Sequence, residues 1–232
     1  MTQPEDRRRR ARLAVMASGT GTNFAALAAA IREGALDAEI PVLICDKPEA
    51  KALGLAADLG INSVCLRPKD FASREAMDRA ILGVLEENQI DLVALAGYMR
   101  IVGPPLLDEY EGRIVNIHPS LLPDYQGLDT HARALADGVA EHGCSVHFVT
   151  EELDGGPVVI QAAVDVAEGE SEASLKEKVH AREHLIYPIA VKWFLEGRLQ
   201  FVPGGATLDG MPLPAQGVRL SHADAAEELD EE

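Results

Sequence analysis

Apolar and polar positions alternate along this chain in two patterns. Short apolar runs predict buried β-strands, and longer stretches with apolar residues three and four positions apart predict helices that pack on a sheet. The strands are predicted at residues 12–17, 40–45, 63–66, 92–96, 113–116, 145–149 and 158–164. The helices are predicted at residues 23–33, 50–59, 74–88, 131–137 and 174–196. This alternation predicts an α/β protein with a Rossmann-like, open, mostly parallel twisted sheet and helices on both faces.

Local signals sharpen two of the predicted helices. Ser73 directly precedes the third helix and is a favourable N-cap. Ser174, with Glu177 three residues later, predicts a capping box at the start of the last helix. Pro188 falls inside that helix, where the missing N–H and the ring predict a kink.

Composition limits the kind of protein this can be. Of 232 residues, 47% are apolar, yet no apolar run approaches the roughly 18 residues of a membrane helix. The net charge of −17 opposes binding to nucleic acid, whose phosphates require a basic surface. We therefore expect a cytoplasmic protein with small-molecule partners and no nucleic-acid or membrane partner. Whether it is a monomer or a homodimer stays open.

The two ends and the cysteines carry no clear chemistry. The apolar part that follows the arginine cluster is too short for a secretory signal. Residues 1–11, rich in arginine, and residues 218–232, rich in acids, are expected to be solvated tails around a single domain at residues 12–217. Cys45, Cys65 and Cys144 are scattered, so we expect buried thiols and no disulfide or zinc site.

The segment Asn-Ile-His-Pro-Ser-Leu-Leu-Pro at residues 116–123 carries the first candidate chemistry. Asn116 and His118 are two residues apart at the end of a predicted strand, so their side chains point the same way. Pro119 keeps His118 extended, at the edge of the sheet where such folds bind ligands. A buried His and Asn that satisfy backbone groups would give the same segment, so the segment alone leaves both interpretations open.

Asp154 lies in an Asp-Gly-Gly-Pro loop after another predicted strand and could be an ordinary turn residue. Beside His118, however, its carboxylate would favour the imidazolium. An Asn, a cationic His and an Asp are the groups that stabilise an oxyanion and move protons in acyl-type transfer.

A Gly-rich loop, Ser-Gly-Thr-Gly-Thr-Asn at residues 18–23, joins the first strand to the first helix. Glycines allow the backbone to approach a ligand, and the free amides of a helix N-terminus favour an anion. A dinucleotide fingerprint fits Gly19 and Gly21 but has Phe24 in place of its third glycine. A single phosphate therefore fits better than a pyrophosphate. Asp46, placed where a ribose-binding acid would lie, keeps the dinucleotide alternative open.

Together these motifs resemble those of the 10-formyltetrahydrofolate-dependent formyltransferases. The resemblance rests on Asn116-x-His118, Ser120-Leu121-Leu122-Pro123 and Leu153-Asp154-Gly155-Gly156. It is narrowed by the Gly-rich loop, Ala96-Gly97-Tyr98-Met99-Arg100 and Glu183-His184-x-x-Tyr187-Pro188 to the members that formylate glycinamide ribonucleotide in de novo purine (IMP) synthesis. It covers residues 12–217, which are thus expected to form a single formyltransferase catalytic domain.

The resemblance implies a role for each candidate residue. The catalytic residues would be Asn116, His118 and Asp154. Glycinamide ribonucleotide would be bound through its phosphate by the amides of Gly21, Thr22 and Asn23, and through its ribose by Glu183. The folate would be bound by Arg74, Met99, Arg100, Ile101, Val102, Asn116 and Asp154. Without the resemblance, Glu183 and Arg74 would be taken as surface residues, and Met99 and Ile101 as core packing.

The implied co-substrate is 10-formyltetrahydrofolate, and no metal is expected because the seven histidines are dispersed. His147 is interpreted as a core histidine, and His131 is left outside the site. The family loop commonly reads Gly-x-His-x-His, whereas Asp129 stands at the first of those histidines here. That departure changes the local charge of the loop more than it affects the reaction.

Three other functions compete with this one. Methionyl-tRNA formyltransferase shares the Asn-x-His motif but usually adds a C-terminal domain and a basic surface, whereas this chain ends in an acidic segment. Formyltetrahydrofolate deformylase, a hydrolase, normally has an additional N-terminal domain. A nucleotide-binding module without catalysis would use the Gly-rich loop alone, and it would lose no activity on substitution of His118.

Overall fold

A computed structural model describes residues 9–220 of the chain. Its strands are Ala11–Ala17 (β1), Ala38–Cys45 (β2), Asn62–Cys65 (β3), Leu92–Leu95 (β4), Ile114–His118 (β5), Glu141–Phe148 (β6), Val158–Asp165 (β7), Leu199–Val202 (β8), Gly205–Leu208 (β9), Met211–Pro212 (β10) and Val218–Arg219 (β11). Its helices are Thr22–Glu33 (α1), Lys51–Asp58 (α2), Arg74–Glu87 (α3), Pro104–Glu109 (α4), Thr130–Asp137 (α5) and Glu172–Leu195 (α6), with one 3₁₀ turn at Pro68–Asp70.

Eight of the strands form one open sheet in the order β11-β7-β6-β5-β4-β1-β2-β3. Neighbours run parallel except that β6 is antiparallel to both β5 and β7. The chain changes direction at β1, with β2 and β3 on one side and β4 and β5 on the other. The carboxyl ends of β1 and β4 therefore form the switch point at which open α/β sheets bind ligands. The predicted open, mostly parallel sheet is confirmed.

Both faces of the sheet are covered. Successive residues of β1 alternate between two apolar clusters: Leu13 and Val15 face one, and Ala14 and Met16 face the other. Helices α1, α2 and α6 pack on the first face, and α3 and α4 pack on the second. The prediction of helices on both faces is thus confirmed as well.

Helix starts were predicted with mixed success. The Ser73 hydroxyl accepts a hydrogen bond from the Ala76 amide at 3.2 Å, so the predicted N-cap of α3 is confirmed. The capping box at Ser174 is wrong. Helix α6 begins at Glu172, and its cap is Ser171, which accepts from the Ser174 amide at 3.2 Å. Two serines three residues apart compete for the cap, and the first has the extended backbone that a cap requires.

Some elements have no signal in the sequence pattern. Helix α4 begins with two prolines, and β8, β9 and β10 form a separate small antiparallel sheet of very short strands. Strand β6 begins at Glu141, four residues before its predicted start, because the segment Glu-His-Gly-Cys pairs with β7 without an apolar alternation of its own. These elements form through contacts with other segments of the chain, which local periodicity does not show.

Both ends of the described chain are attached to the domain, and Val218 and Arg219 of the predicted C-terminal tail pair with β7 as strand β11. Arg9 makes two bonds of 2.7 Å to Asp91, and Arg10 makes one of 3.0 Å to Asp37. The rest of the two predicted tails, residues 1–8 and 221–232, lies outside the described residues. Cys45 and Cys144 are buried as expected, but Cys65 is exposed at the edge strand β3, so the expectation of a buried thiol was wrong there.

Candidate active site

Strand β5 presents Asn116 and His118 at its carboxyl end. His118 is only 5% exposed. Its Nε2 lies 3.0 Å from the carbonyl oxygen of Tyr125. A carbonyl can only accept a hydrogen bond, so Nε2 carries a proton and donates it. The other ring nitrogen, Nδ1, faces the loop that carries Asp154.

Asp154 reaches His118 from the loop between β6 and β7. Its backbone is left-handed, with a φ of 49°. Oδ2 lies 3.5 Å from Nδ1 of His118 and accepts a hydrogen bond from the Gly127 amide at 2.8 Å. The Gln126 side chain donates to the Asp154 carbonyl at 3.2 Å. The structure thus brings His118 and Asp154 together, although 36 residues separate them in sequence (154 − 118).

His147 joins this pair to Asn116 and was missed as a site residue. Its Nδ1 donates to the Phe148 carbonyl at 2.8 Å, and burial lowers its pKa to about 4. The ring is therefore neutral at pH 7, with a lone pair on Nε2 that accepts from Asn116 Nδ2 at 3.1 Å. Nε2 also lies 3.7 Å from Asp154 Oδ1, a proximity that is not an ion pair because the ring is neutral.

The sequence held a signal for His147. Residues 116 and 147 face each other across the antiparallel pair β5–β6. Had that pairing been foreseen, the position opposite Asn116 would have been a candidate, since directly opposed side chains in such a pair are neighbours.

A buried hydrogen-bond network fixes the loop after His118. The Ser145 hydroxyl donates to the Ser120 carbonyl at 2.6 Å and accepts from the Leu122 amide at 3.0 Å. Gln161 donates to the Leu122 carbonyl at 2.8 Å. This loop continues to Tyr125 and Gly127, the backbone partners of His118 and Asp154. The network therefore holds the two catalytic candidates in register.

The Gly-rich loop opens α1 at the carboxyl end of β1. Gly21 is the N-cap, with a left-handed φ of 79°. A Cβ atom there would lie 2.9 Å from the Cβ of Ala52, so the position requires glycine for both conformation and space. The first turn of α1 contains no acidic residue. Its free amides, including those of Thr22 and Asn23, are available to an anion.

Asn23 connects this loop to Glu183 on α6. Asn23 Nδ2 donates to Glu183 Oε2 at 2.8 Å. Glu183 is 3% exposed, and burial raises its pKa to about 7, while the Asn23 hydrogen bond acts in the opposite direction. The two predicted ribonucleotide-binding groups, far apart in sequence, therefore belong to one place in the fold. Glu183 is a buried carboxylate and not the surface residue that its sequence alone suggested.

The predicted folate-binding segment follows β4. Met99 and Ile101 are 57% and 53% exposed, and Leu153, next to Asp154, is 54% exposed. These are large apolar side chains without cover, and Val102 between them and α4 is buried. The Met99 amide donates to the Ser18 hydroxyl at 2.9 Å, which ties this segment to the start of the Gly-rich loop. Within residues 9–220, Arg74 and Arg100 form no ion pair.

Three further residues from the sequence analysis make no hydrogen bond to Asn116, His118 or Asp154 within residues 9–220. His131 Nδ1 lies 3.2 Å from His142 Nε2, and burial lowers the pKa of His131 to about 4. Asp129 directly precedes α5 with a φ of 55° and makes no capping hydrogen bond. Asp46 is 5% exposed, and its Oδ1 has no hydrogen-bond partner among the described residues.

The described residues contain no cluster of His, Cys, Asp or Glu side chains suited to holding a metal ion. Over the same part of the chain, none of the helices has the length and apolar character needed to cross a membrane.

An open α/β sheet with an Asn, a His and an Asp near the carboxyl ends of its central strands fits the class of formyl-group transferases. Residues 11–191 match the family model described as formyl transferase, and the chain belongs to that family.

Individual relatives narrow the comparison. The phosphoribosylglycinamide formyltransferase of Escherichia coli K12 is 44% identical over 205 residues, which are 88% of this chain and 97% of that protein. The solved structure of the phosphoribosylglycinamide formyltransferase of Coxiella burnetii superposes with a TM-score of 0.88 at 39% identity, covering 92% of this chain and all of the other. A formyltetrahydrofolate deformylase of Pseudomonas syringae superposes with a TM-score of 0.79 at 27% identity, and only 66% of that chain is covered.

Proposed function

We propose that this protein transfers the formyl group of 10-formyltetrahydrofolate to the amine of glycinamide ribonucleotide, giving N-formyl-glycinamide ribonucleotide and tetrahydrofolate in IMP biosynthesis. One observation carries the proposal. Three neighbouring strands end at these groups: the helix start with free amides follows β1, exposed Met99 and Ile101 follow β4, and Asn116 and His118 end β5. Glu183 joins the first group through Asn23, and His147 and Asp154 join the last. The proposed sites for phosphate, reacting carbon and pterin thus adjoin one another.

The reaction joins the amine nitrogen to the formyl carbon and breaks the bond from that carbon to N10 of the folate. The tetrahedral intermediate carries a negative oxygen, which needs donors fixed in advance. Asn116 offers one. Its amide nitrogen has two protons, one given to His147, and the second is free for the oxyanion.

His118 supplies the other donor. Its Nε2 proton is donated to the Tyr125 carbonyl in the structure, and the same proton would be donated to the oxyanion during the reaction. Both partners are acceptors, so His118 keeps one hydrogen bond through the exchange. A second proton, on Nδ1, would be donated to Asp154 at the 3.5 Å contact. The Asp154 carboxylate thereby stabilises a cationic His118 next to the developing negative charge.

Asp154 also completes the proton balance. The attacking amine must lose a proton and the departing N10 must gain one. A carboxylate at 10% exposure beside His118 is placed to pass that proton through a water molecule. No metal takes part in this proposal.

The ribonucleotide and the folate are assigned to separate groups of residues next to this cluster. The amides of Gly21, Thr22 and Asn23 would bind the phosphate, and Glu183 would accept from the ribose hydroxyls. The exposed apolar wall of Met99 and Ile101, with Val102 behind it, suits a planar pterin. Arg74 and Arg100 suit its acidic tail.

The proposal extends to the partners, location and oligomeric state of the protein. We assign it small-molecule substrates, a cytoplasmic location, and a monomeric or homodimeric state. The catalytic domain is assigned to residues 12–217.

Formyl transfer measured with purified protein and 10-formyltetrahydrofolate, with and without glycinamide ribonucleotide, tests the proposal. Release of tetrahydrofolate that depends on the ribonucleotide is the expected result. Equal release without it would identify water as the acceptor and the protein as a deformylase, the second candidate that the Pseudomonas syringae structure favours. If a folded protein releases no tetrahydrofolate in either case, both the formyltransferase and the deformylase proposals are wrong.

A further inference from the structure

Helix α3 carries a buried carboxylate that no step of the proposed reaction uses. Asp78 lies one turn after Arg74 and is 4% exposed. Its Oδ2 accepts no hydrogen bond within the described residues. A buried carboxylate oxygen without a hydrogen-bond partner costs free energy, so its presence here requires an explanation.

The backbone of Gly103 lies directly against this carboxylate. A Cβ atom at position 103 would overlap Asp78 Oδ2 and lie 3.6 Å from Arg74 Nε. Gly103 is the N-cap of α4 and directly follows Val102. Asp78 therefore lies where α3, the end of the proposed folate-binding segment and α4 meet. A side chain at position 103 would displace the Asp78 carboxylate.

Arg74 lies beside this carboxylate, one helical turn before Asp78 on α3. Burial is the largest influence on the pKa of Asp78 and raises it, whereas the nearby Gly103 amide and Arg74 lower it; Glu75 raises it, and Arg100 lowers it least. Arg74 makes no direct ion pair with Asp78 or with any other acid among residues 9–220. Asp78 is thus close enough to attract the Arg74 guanidinium, whose donors are not used by another acid.

We propose that Asp78 is a positioning residue that holds Arg74 for the acidic tail of the folate co-substrate. The proposal rests on the folate assignment made above. Arg74 has a long, mobile side chain, and a fixed anion one helical turn away limits the conformations that it loses on binding. A ligand carboxylate then meets an oriented fork of donors.

The inference is tested with Asp78→Asn and two probes that differ only in the tail. Tetrahydrofolate carries the glutamate, and tetrahydropteroate lacks it. Calorimetry on the full chain is expected to show the Kd for tetrahydrofolate rising about tenfold, which corresponds to about 1.4 kcal/mol. The Kd for tetrahydropteroate, the KM for glycinamide ribonucleotide and kcat are expected to stay within twofold. Asp108→Asn, which removes an exposed carboxylate from α4, is the matched control and is expected to change neither Kd.

The outcomes separate the alternatives. An equal rise in both Kd values would make Asp78 a structural brace and overturn the proposal. An unchanged or lower Kd for tetrahydrofolate would do the same, because the carboxylate would then be neutral or repulsive toward the tail. Arg74→Gln distinguishes failure of the positioning proposal from failure of the folate assignment on which it rests. If the wild type binds both probes equally and Arg74→Gln changes nothing, the folate assignment itself fails. Thermal unfolding checks that Asp78→Asn is folded. We expect a folded variant, because the substitution removes a buried charge that has no ion-pair partner.

Discussion

The amide nitrogen of Asn116 lies 3.1 Å from Nε2 of His147, and the imidazole can only accept there because its other nitrogen donates to a carbonyl. This contact sets which end of the Asn116 amide faces the site. It also keeps one N–H directed away from His147 and free for the reacting oxygen.

We expect His147→Leu to lower kcat by about tenfold to a hundredfold while the substrate KM values change little. The change removes the acceptor that orients Asn116 but leaves the donor itself in place, so the loss is smaller than the 10²–10³ typical of deleting an oxyanion donor. Steady-state kinetics beside Asn116→Ala provide the comparison. If His147→Leu costs as much as Asn116→Ala, His147 has a direct role and the orienting argument is wrong.

Asp154→Asn is expected to lower kcat by about 10²–10³. An Asn oxygen can still accept from the Gly127 amide, so the loop persists while the charge that faces His118 Nδ1 is lost. Asp124→Asn is the matched control, because Asp124 is an exposed acid on the adjoining loop and its side chain makes no contact with His118. A full-activity Asp154→Asn would exclude the proposed electrostatic role.

Gly21→Ala and Gly19→Ala form a matched pair within one loop. A Cβ at Gly21 meets Ala52 at 2.9 Å and forces a side chain into a left-handed backbone, whereas a Cβ at Gly19 meets nothing within 4 Å. We expect Gly21→Ala to lower the free energy of unfolding by about 1–3 kcal/mol, and Gly19→Ala to change it by less than about 0.5 kcal/mol. Urea denaturation measures both.

The same pair probes the proposed phosphate site. Distortion of the loop should raise the KM for glycinamide ribonucleotide in Gly21→Ala more than it raises the KM for the folate. Equal effects on both substrates would argue against a phosphate site at this helix start.

Glu183→Gln is expected to change how stability depends on pH. The pKa of this buried acid is raised to about 7, so the folded state binds more protons than the unfolded state between the ordinary value of 4.5 and 7. Stability is therefore lost as the pH rises through that window, by at most about 3 kcal/mol. The variant, which cannot ionise, should be as stable as the wild type near pH 4.5 and more stable near pH 8.

Chemical denaturation of both proteins at the two pH values measures this difference. The variant should at the same time bind glycinamide ribonucleotide more weakly, because an amide is a poorer acceptor for the ribose hydroxyls than a carboxylate. A variant that is less stable at pH 8 would show that the charged form is favoured in the fold, contrary to the burial argument.

Periodicity in the sequence determined the main sheet and the helices beside it. The apolar runs of β1, β2, β4 and β7 and the amphipathic helices α1 and α3 needed no tertiary information, because burial on a sheet requires those patterns locally. The motif residues Asn116, His118 and Asp154 were also recognised from the sequence. Their chemical types and their resemblance to the family's motifs made them candidates before any contact was known.

Tertiary structure decided what depends on partners distant along the chain. The role of His147 follows from the antiparallel β5–β6 pairing, and the burial of Glu183 follows from the packing of α6 beside Asn23. Helix α4, the small sheet of β8 to β10 and the position of Asp78 against Gly103 likewise have no local signature. A side chain's burial and hydrogen-bond partners arise from segments that meet only on folding, so a linear pattern predicts that an element forms but not which groups it meets.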